Sequence, residues 1–280
     1  MKIAVSSYSF LGAMRDGRMT MMDVIPKAKE LGFAGVEIVN LGDSASIRQA
    51  AAALRAQSEE YGIEIVSYMT SGNFLAEDLG AEIDKMKAEA DICCALGAKK
   101  MRHDACWAVD EGITFESALP RIAEGYRAVT EYAQTLGIKT MVENHGRFIQ
   151  HSSRVKAVIE AVDHENFGWL VDVGNFLCVD EDPVTAVPVG MPLAMHLHAK
   201  DFHMKPGAAR APKMGWFGTA GGNHLRGAIF GHGNIDLESV FKTVRESGYD
   251  EWVALEFEGI EDCLAAIPEG LNNLKSYLEG

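Results

Sequence analysis

One short pattern recurs along the chain and constrains its fold more than any other feature. A helical segment ends at a glycine, and a strand-like segment begins a few residues later, at Gly32, Gly62, Gly97, Gly137 and Gly248. A glycine just past a helix can take the left-handed conformation that satisfies the last carbonyl groups, so each position predicts a helix end. Strands that alternate with helices in this way predict a parallel sheet with helical crossovers.

The repeat continues through the whole chain. Three further segments have the character of buried strands, at 2–8, 168–175 and 194–201. Helical patterns lie between the strands, the clearest at 46–61, 82–96 and 118–136. Eight strand–helix units in 280 residues predict an α/β fold, a single-domain (β/α)₈ TIM barrel over residues 1–280. A doubly wound open sheet is the alternative, but no G-x-G-x-x-G follows the first strand.

One long segment, about 202–235, has no regular pattern and is rich in glycine. It follows the seventh predicted strand, so in a barrel it leaves from the C-terminal face, where active sites gather. Structureless segments of this length inside a compact domain are usually functional. We therefore predict a long active-site loop there.

Charge and hydropathy exclude two classes of partner. The formal net charge is −14, and no basic block is present, which argues against nucleic-acid binding. No run approaches the ~18 apolar residues of a membrane span. The opening MKIAVSSYSF lacks the features of a signal peptide, so we expect a cytoplasmic protein that does not bind membranes.

Four successive predicted strands end in residues that bind metals. These are Glu143 in VENHG, Asp172 in VDVGN, His198 in HLHAKD and Glu256 in ALEFEG. Three carboxylates and one imidazole suit Mn²⁺, Mg²⁺ or Co²⁺ better than a structural zinc ion. The alternative is a hydrogen-bonded core histidine with salt-bridged carboxylates. Burying so many ionisable groups together without a cation is costly, however, and this favours one divalent metal ion.

These motifs resemble the xylose isomerase-like TIM-barrel superfamily, also called the sugar phosphate isomerase/epimerase family. The resemblance covers the whole chain through GFAGVEIVN, ENHG, DVGN, HAKD, GHGNID and ALEFEG. It implies that Glu143, Asp172, His198 and Glu256 bind one divalent ion, Mn²⁺ first and Mg²⁺, Co²⁺, Zn²⁺ or Fe²⁺ as alternatives. The family's His-x-Lys-Asp pattern fits His198, so we expect His196 to play a supporting or core role.

The resemblance also implies a reaction. A divalent ion can stabilise the enediolate that forms when a hydroxy-ketone loses the proton next to its carbonyl. Glu143 and Glu256 would move that proton, and His145, on the same face of its strand as Glu143, is a further catalytic acid or base. We therefore expect first an isomerase or epimerase of a sugar, keto-sugar or sugar derivative. Its partner is a small carbohydrate, and the resemblance implies pairing into a homo-oligomer.

Six further residues are candidates for binding the substrate: Glu37, His103, Asn175, Lys200, Arg226 and His232. Arg102, beside His103, is another, and a structural role is the alternative for Glu37, Arg102 and His103. The chain departs from ketose 3-epimerases of the family at two positions, where Ile149 replaces a glutamate and Asn175 replaces a histidine. Because neither side chain can shuttle a proton at neutral pH, these departures place a simple free-ketose 3-epimerase in doubt.

Two other functions stay open on the sequence. A lyase would share the first step and then expel a leaving group, as in dehydration of a keto-inositol or cleavage of a 3-keto C-glycoside. A non-catalytic sugar-binding or assembly subunit would use the fold without the chemistry. The family's apurinic-site endonucleases are a poor fit, because a chain with a net charge of −14 repels DNA.

Overall fold

The computed structural model describes residues 1–106 and 109–280, and its central feature is a closed barrel of eight parallel strands. The strands are β1 (Lys2–Ser6), β2 (Gly35–Val39), β3 (Glu64–Thr70), β4 (Lys100–His103), β5 (Lys139–Glu143), β6 (Phe167–Asp172), β7 (Ala194–Ala199) and β11 (Trp252–Leu255). The last strand, β11, pairs with β7 on one side and with β1 on the other, which closes the barrel. The predicted single-domain TIM barrel is confirmed.

Helices surround the strands and follow them in the predicted alternation. They are α1 (Leu11–Arg15), α2 (Val24–Leu31), α3 (Ser44–Tyr61), α4 (Leu79–Leu96), α5 (Phe115–Thr135), α6 (Ser152–Val162), α7 (Pro183–Gly190), α8 (Leu237–Glu246) and α9 (Cys263–Glu279). The five glycines of the repeat all have positive φ angles, between 64° and 86°. They therefore end the helices as expected. Among the described residues, no helix has both the length and the apolar character needed to cross a membrane.

The two faces of each strand separate the core from the site. On β7, Leu197 and Ala199 pack outward in the main core against the helices, whereas His196 and His198 alternate with them and face into the barrel. Two small apolar clusters belong to the strands alone: Ala4, Val66, Trp252 and Ala254, and Met69, Met141 and Leu170. They fill the barrel, as layered side chains do in this fold, so the polar residues gather at its C-terminal end.

The segment after β7 is more ordered than the sequence predicts. Residues 201–235, called here the excursion, contain a three-stranded antiparallel sheet of β8 (Asp201–Lys205), β9 (Phe217–Gly218) and β10 (His224–Ala228), in the order β8-β10-β9. The segment of about 202–235 is therefore not irregular throughout, and its role as a long active-site loop stays a prediction. One face of this sheet has a small apolar part, where Phe202 and Leu225 are buried, and the many glycines of the segment obscure it in the sequence.

The buried carboxylate of Asp201 joins the start of the excursion to its end. It accepts backbone N–H groups from Phe202 at 2.8 Å, Gly231 at 3.1 Å and Gly233 at 2.7 Å. A Cβ at Gly233 would overlap the Asp201 carboxylate and lie 2.6 Å from the carbonyl oxygen of Phe202. Only glycine fits this close approach.

We expect Gly233→Ala to lower the free energy of unfolding by about 1–3 kcal/mol, since the added methyl group must displace Asp201 or the backbone of β8. Urea denaturation followed by circular dichroism measures this change. Gly218→Ala, in the same excursion, is the matched control, because its Cβ would have no neighbour closer than 4.0 Å. Equal stability of the two variants would contradict the close packing around Asp201.

Candidate metal centre and active site

The four predicted metal ligands converge at the C-terminal end of the barrel. Nδ1 of His198 lies 3.5 Å from Oδ2 of Asp172, 3.6 Å from Oε2 of Glu256 and 3.8 Å from Oε1 of Glu143. The strand register produces this meeting, since β6 and β7 place Asp172 directly beside His198, and Glu256 follows the last residue of β11. All four side chains are largely buried.

The orientation of His198 is set from below by Glu37. Nε2 of His198 lies 3.0 Å from Oε2 of Glu37, and Nδ1 has no hydrogen-bond partner within residues 1–106 and 109–280. A proton on Nε2 leaves the lone pair of Nδ1 directed at the three carboxylates. Carboxylates that orient a ligand histidine in this way are typical of metal sites.

The buried Glu37 carboxylate is fully engaged. Its Oε1 contacts Nε2 of His196 at 2.5 Å and accepts the hydroxyl of Ser67 at 2.9 Å. Burial alone would raise the pKa of Glu37, but the adjacent His198 and His196 hold it at about 2. Glu37 thus holds the two histidines from inside the barrel. It lies too deep to contact a substrate in the cavity above them.

Asp172 is fixed by backbone donors. Its Oδ1 accepts the N–H groups of Gly174 and Asn175, both at 2.8 Å. The side chain of Asn144 accepts the backbone N–H of Asp172 at 2.9 Å and donates to its carbonyl at 2.8 Å. Oδ2 is left to face Nδ1 of His198 and the ammonium of Lys200.

Glu143 lies between two donors. Its Oε1 accepts Nδ2 of Asn175 at 2.9 Å, and its Oε2 contacts the guanidinium of Arg102 at 2.6 Å. The same guanidinium lies 2.9 Å from Asp104. Arg102 and Asn175 thereby position the carboxylate, and both are buried beside the cluster.

Lys200 supplies a second buried cation. Its ammonium lies 2.6 Å from Oε2 of Glu256, 3.1 Å from Oδ2 of Asp172 and 3.1 Å from Oδ1 of Asn175. Burial would lower the pKa of Lys200, but Asp172 and Glu256 outweigh it and raise that pKa well above the ordinary value. The ammonium stays charged and offsets part of the negative charge of the cluster.

The donor set fits a divalent cation. Three carboxylates and one imidazole are hard and borderline ligands of the kind that Mn²⁺, Mg²⁺, Co²⁺ or Zn²⁺ accept. Glu143, Asp172 and His198 offer ligand atoms within 4.8 Å of one another. The buried and unpartnered Nδ1 of His198 is the clearest sign, since a buried polar atom without a partner is costly.

A carboxylate–histidine pair stands at the mouth of the site. Nδ1 of His145 lies 2.9 Å from Oδ1 of Asp104. Burial alone would lower the pKa of His145 and raise the pKa of Asp104. Asp104 nevertheless raises the pKa of His145, and Arg102 together with His145 holds the pKa of Asp104 at about 2. The side chain of His145 remains 28% exposed. This group can therefore exchange a proton with a bound molecule.

Three of the predicted substrate-binding residues lie away from the site, in addition to Glu37, which lies beneath it. His103 alternates with Arg102 on β4 and faces outward, where its ring stacks on Tyr126 at 4.7 Å. Burial lowers the pKa of His103 to about 4. Arg226 pairs with Glu261 at 2.9 Å, and His232 lies exposed on the surface. The period of two along β4 explains why Arg102 points inward and His103 does not.

A cavity of about 360 Å³ covers the cluster. Residues lining it include Tyr8, Asn40, Arg102, Glu143, His145, Lys200, Glu256 and Glu258. Asp104, Asn144, Tyr8 and Glu258 are absent from the sequence prediction. Only Glu258 carried a usable signal, because it lies two residues after Glu256 and so continues the same face.

Comparison with known proteins agrees with this geometry. The family model described as xylose isomerase-like TIM barrel matches residues 25–277. The inosose dehydratase of Lacticaseibacillus casei is 27% identical over 161 residues, which cover 57% of this chain and 53% of that relative. The match therefore spans about half the length of that relative. The rhizopine catabolism protein MocC of Rhizobium meliloti is 24% identical over 256 residues, with 86% of this chain and 76% of that protein covered.

Solved structures extend the likeness at the level of the fold. IOLI protein with a bound zinc atom superimposes with a TM-score of 0.78 at 15% identity, covering 100% of this chain and 98% of the other. D-psicose 3-epimerase in the presence of D-fructose gives 0.75 at 16% identity, with both chains covered completely. With the family match over 25–277, the conclusion is direct: the chain belongs to the xylose isomerase-like TIM-barrel family.

Proposed function

We propose that the protein is a divalent-metal-dependent lyase that dehydrates a polyhydroxylated ketone, a keto-inositol or a keto-sugar. The observation that carries the proposal is the Asp104–His145 pair, 2.9 Å apart, beside a cavity lined by His145 and by Glu143 and Glu256 of the four-ligand cluster. Such a site combines a means of stabilising negative charge on oxygen with a separate proton donor. Dehydration next to a carbonyl needs both.

In this proposal Glu143, Asp172, His198 and Glu256 hold one divalent ion, with Mn²⁺ as the first candidate. When bound, such an ion polarises a substrate carbonyl and stabilises the negative charge that develops on its oxygen. The rest of the work falls to side chains of this chain.

Glu256 takes the proton from the carbon next to the carbonyl. Both oxygens of Glu143 already accept hydrogen bonds or ion pairs, from Asn175 and Arg102, whereas Glu256 is held through Oε2 by Lys200. Glu256 is therefore the better base of the two carboxylates that line the cavity. Its Oε1 receives the proton, and the electron pair of the broken C–H bond forms a double bond to the carbonyl carbon, which leaves the negative charge on the carbonyl oxygen.

His145 completes the elimination. The bond from the next carbon to its hydroxyl breaks, and the departing oxygen takes the proton of the His145 ring nitrogen that Asp104 does not bind. The carbonyl re-forms, the electron pair moves into the double bond between the two carbons, and the oxygen leaves as water. The enol left behind becomes a second ketone when its hydroxyl proton returns to His145 and Glu256 delivers its proton to the carbon that lost the hydroxyl. Asp104 keeps the ring oriented and favours its protonated form, which is the form a general acid requires.

An isomerase or epimerase, which the sequence analysis places first, is the second candidate. The fold it shares with D-psicose 3-epimerase supports it, and the first proton transfer would be the same. Two observations support the lyase instead: Ile149 is buried and apolar and Asn175 is an amide, and curated relatives carry the name inosose dehydratase. These two observations favour the lyase over the isomerase or epimerase.

Metal content tests the foundation of the proposal. We expect about one Mn, Co, Mg, Zn or Fe per purified chain by elemental mass spectrometry, and its loss in His198→Ala, because the imidazole nitrogen is one of about four ligands. His232→Ala is the matched control, since His232 lies on the surface away from the cluster, and it should retain the metal. Wild-type protein that stays metal-free after incubation with Mn²⁺ would refute the site.

The variant His145→Gln separates the role of His145 from that of Glu256. We expect loss of water from a keto-inositol or from 3-keto-glucose to fall by about 10²–10⁴-fold, the usual contribution of a general acid. Exchange of the α proton with solvent deuterium should continue, because Glu256 is unchanged. NMR in D₂O follows both events in one sample, and His232→Gln serves as the control.

The same experiment discriminates the two candidate reactions. Wild-type protein that exchanges the α proton and inverts or moves the carbonyl, without losing water, would show an isomerase or epimerase. Equal loss of exchange and dehydration in His145→Gln would assign His145 to the first step and contradict its role as the acid.

A further inference from the structure

A second cavity adjoins the first on the side of β5 and β6. Its volume is about 320 Å³, against about 360 Å³ for the cavity over the ligand cluster. Three side chains line both cavities: His145, Lys200 and Glu258. The two spaces are therefore lobes of one site that meet at the proposed proton donor. We call them the reaction lobe and the second lobe.

The second lobe has a fixed wall supplied by the excursion. Nη2 of Arg147 donates to the carbonyl of Gly218 at 2.7 Å, which ties β9 to the end of β5. The carboxylate of Asp180 accepts the hydroxyl of Thr219 and the side-chain amide of Asn223, both at 2.7 Å. These bonds hold the β9–β10 turn on the barrel, so the lobe is a built feature of the fold.

The lobe is lined by charged, polar and apolar residues, and Phe217 is an aromatic side chain among them. Phe217 is 38% exposed although it packs edge-on against Phe202, with ring centroids 5.8 Å apart. The polar groups of Gln150 are already used, since it accepts the backbone N–H of Arg147 and donates to the carbonyl of Asn175. An aromatic surface beside satisfied polar groups suits a ring that stacks and gains little from new hydrogen bonds.

Resting on the proposed function, we propose that the second lobe binds a ring substituent of the substrate, so that the substrate class is a keto-glycoside or a substituted keto-cyclitol. The reacting ketone occupies the reaction lobe over Glu143 and Glu256. Its substituent passes His145 and stacks on Phe217. An unsubstituted keto-monosaccharide would fill the reaction lobe and leave Phe217 uncovered.

Binding of matched glycosides tests this assignment. Methyl, glucosyl and phenyl glycosides of 3-keto-glucose share the reacting ring and differ in the substituent, and calorimetry gives their dissociation constants for the metal-loaded protein. We expect the phenyl or glucosyl compound to bind about tenfold more tightly than the methyl compound, the size of one good aromatic contact. Tighter binding of the phenyl compound indicates an aromatic aglycone, and tighter binding of the glucosyl compound indicates a second sugar.

Two variants link the preference to the lobe. Phe217→Ala should reduce the preference for the ring-bearing glycoside to about twofold or less, since the stacking surface is lost. Cys178→Leu, which narrows the lobe from the 3₁₀ turn after β6, should reduce it as well. Met214→Ala removes another exposed apolar side chain of the excursion that does not line the lobe, and it should leave the preference unchanged.

Failure of this inference and failure of the proposed function give different results. Equal affinity for the three glycosides, or a preference that Phe217→Ala does not reduce, overturns the second lobe even if α-proton exchange proceeds. Absence of exchange on every ketone overturns the proposed function, while a preference that depends on Phe217 would still support the lobe as a ring-binding site.

Discussion

The site depends on one buried carboxylate shared between two histidines. Glu37 has no exposed surface, and its two oxygens contact Nε2 of His196 and Nε2 of His198. A carboxylate in this position would be costly alone, and the two imidazoles offset that cost. The consequence is geometric: with Nε2 of His198 held from below, Nδ1 can point only at the three carboxylates above it.

This arrangement explains why one face of β7 is polar. His196, His198 and Lys200 share that face and form three levels: His196 binds Glu37, His198 joins Glu37 to the ligand cluster, and Lys200 contacts the carboxylates at the top. The contacts that each of the three side chains makes therefore depend on its depth in the barrel. On β4, Arg102 likewise contacts a carboxylate of the cluster, since its guanidinium pairs with Glu143.

The sequence predicts the barrel and the convergence of the four ligands because both follow from simple periods. Glycine marks the helix ends, and residues at the ends of parallel strands meet at one face. The sequence does not predict contacts between distant segments when the residues that make them are of common types. Asp104 and Asn144 act through side-chain hydrogen bonds that no spacing reveals. His103 and Arg102 are both candidates on the sequence, and only the direction in which β4 faces separates them. The short sheet of the excursion escapes prediction for a related reason, since few of its apolar side chains are buried on one face.

The hydrogen bonds that join Asp201 to both ends of the excursion affect which sequence changes such a protein can accept. The carboxylate binds the first and last turns of the excursion to each other, immediately after the residues that carry the site. The excursion therefore behaves as a closed loop on a fixed base, and lengthening a surface loop adds little free-energy cost. Insertions or replacements between the two ends can reshape the wall contributed by Phe217 without moving His198 or Lys200. On the proposed function, substrate range and reaction chemistry are then encoded in separable stretches of the chain.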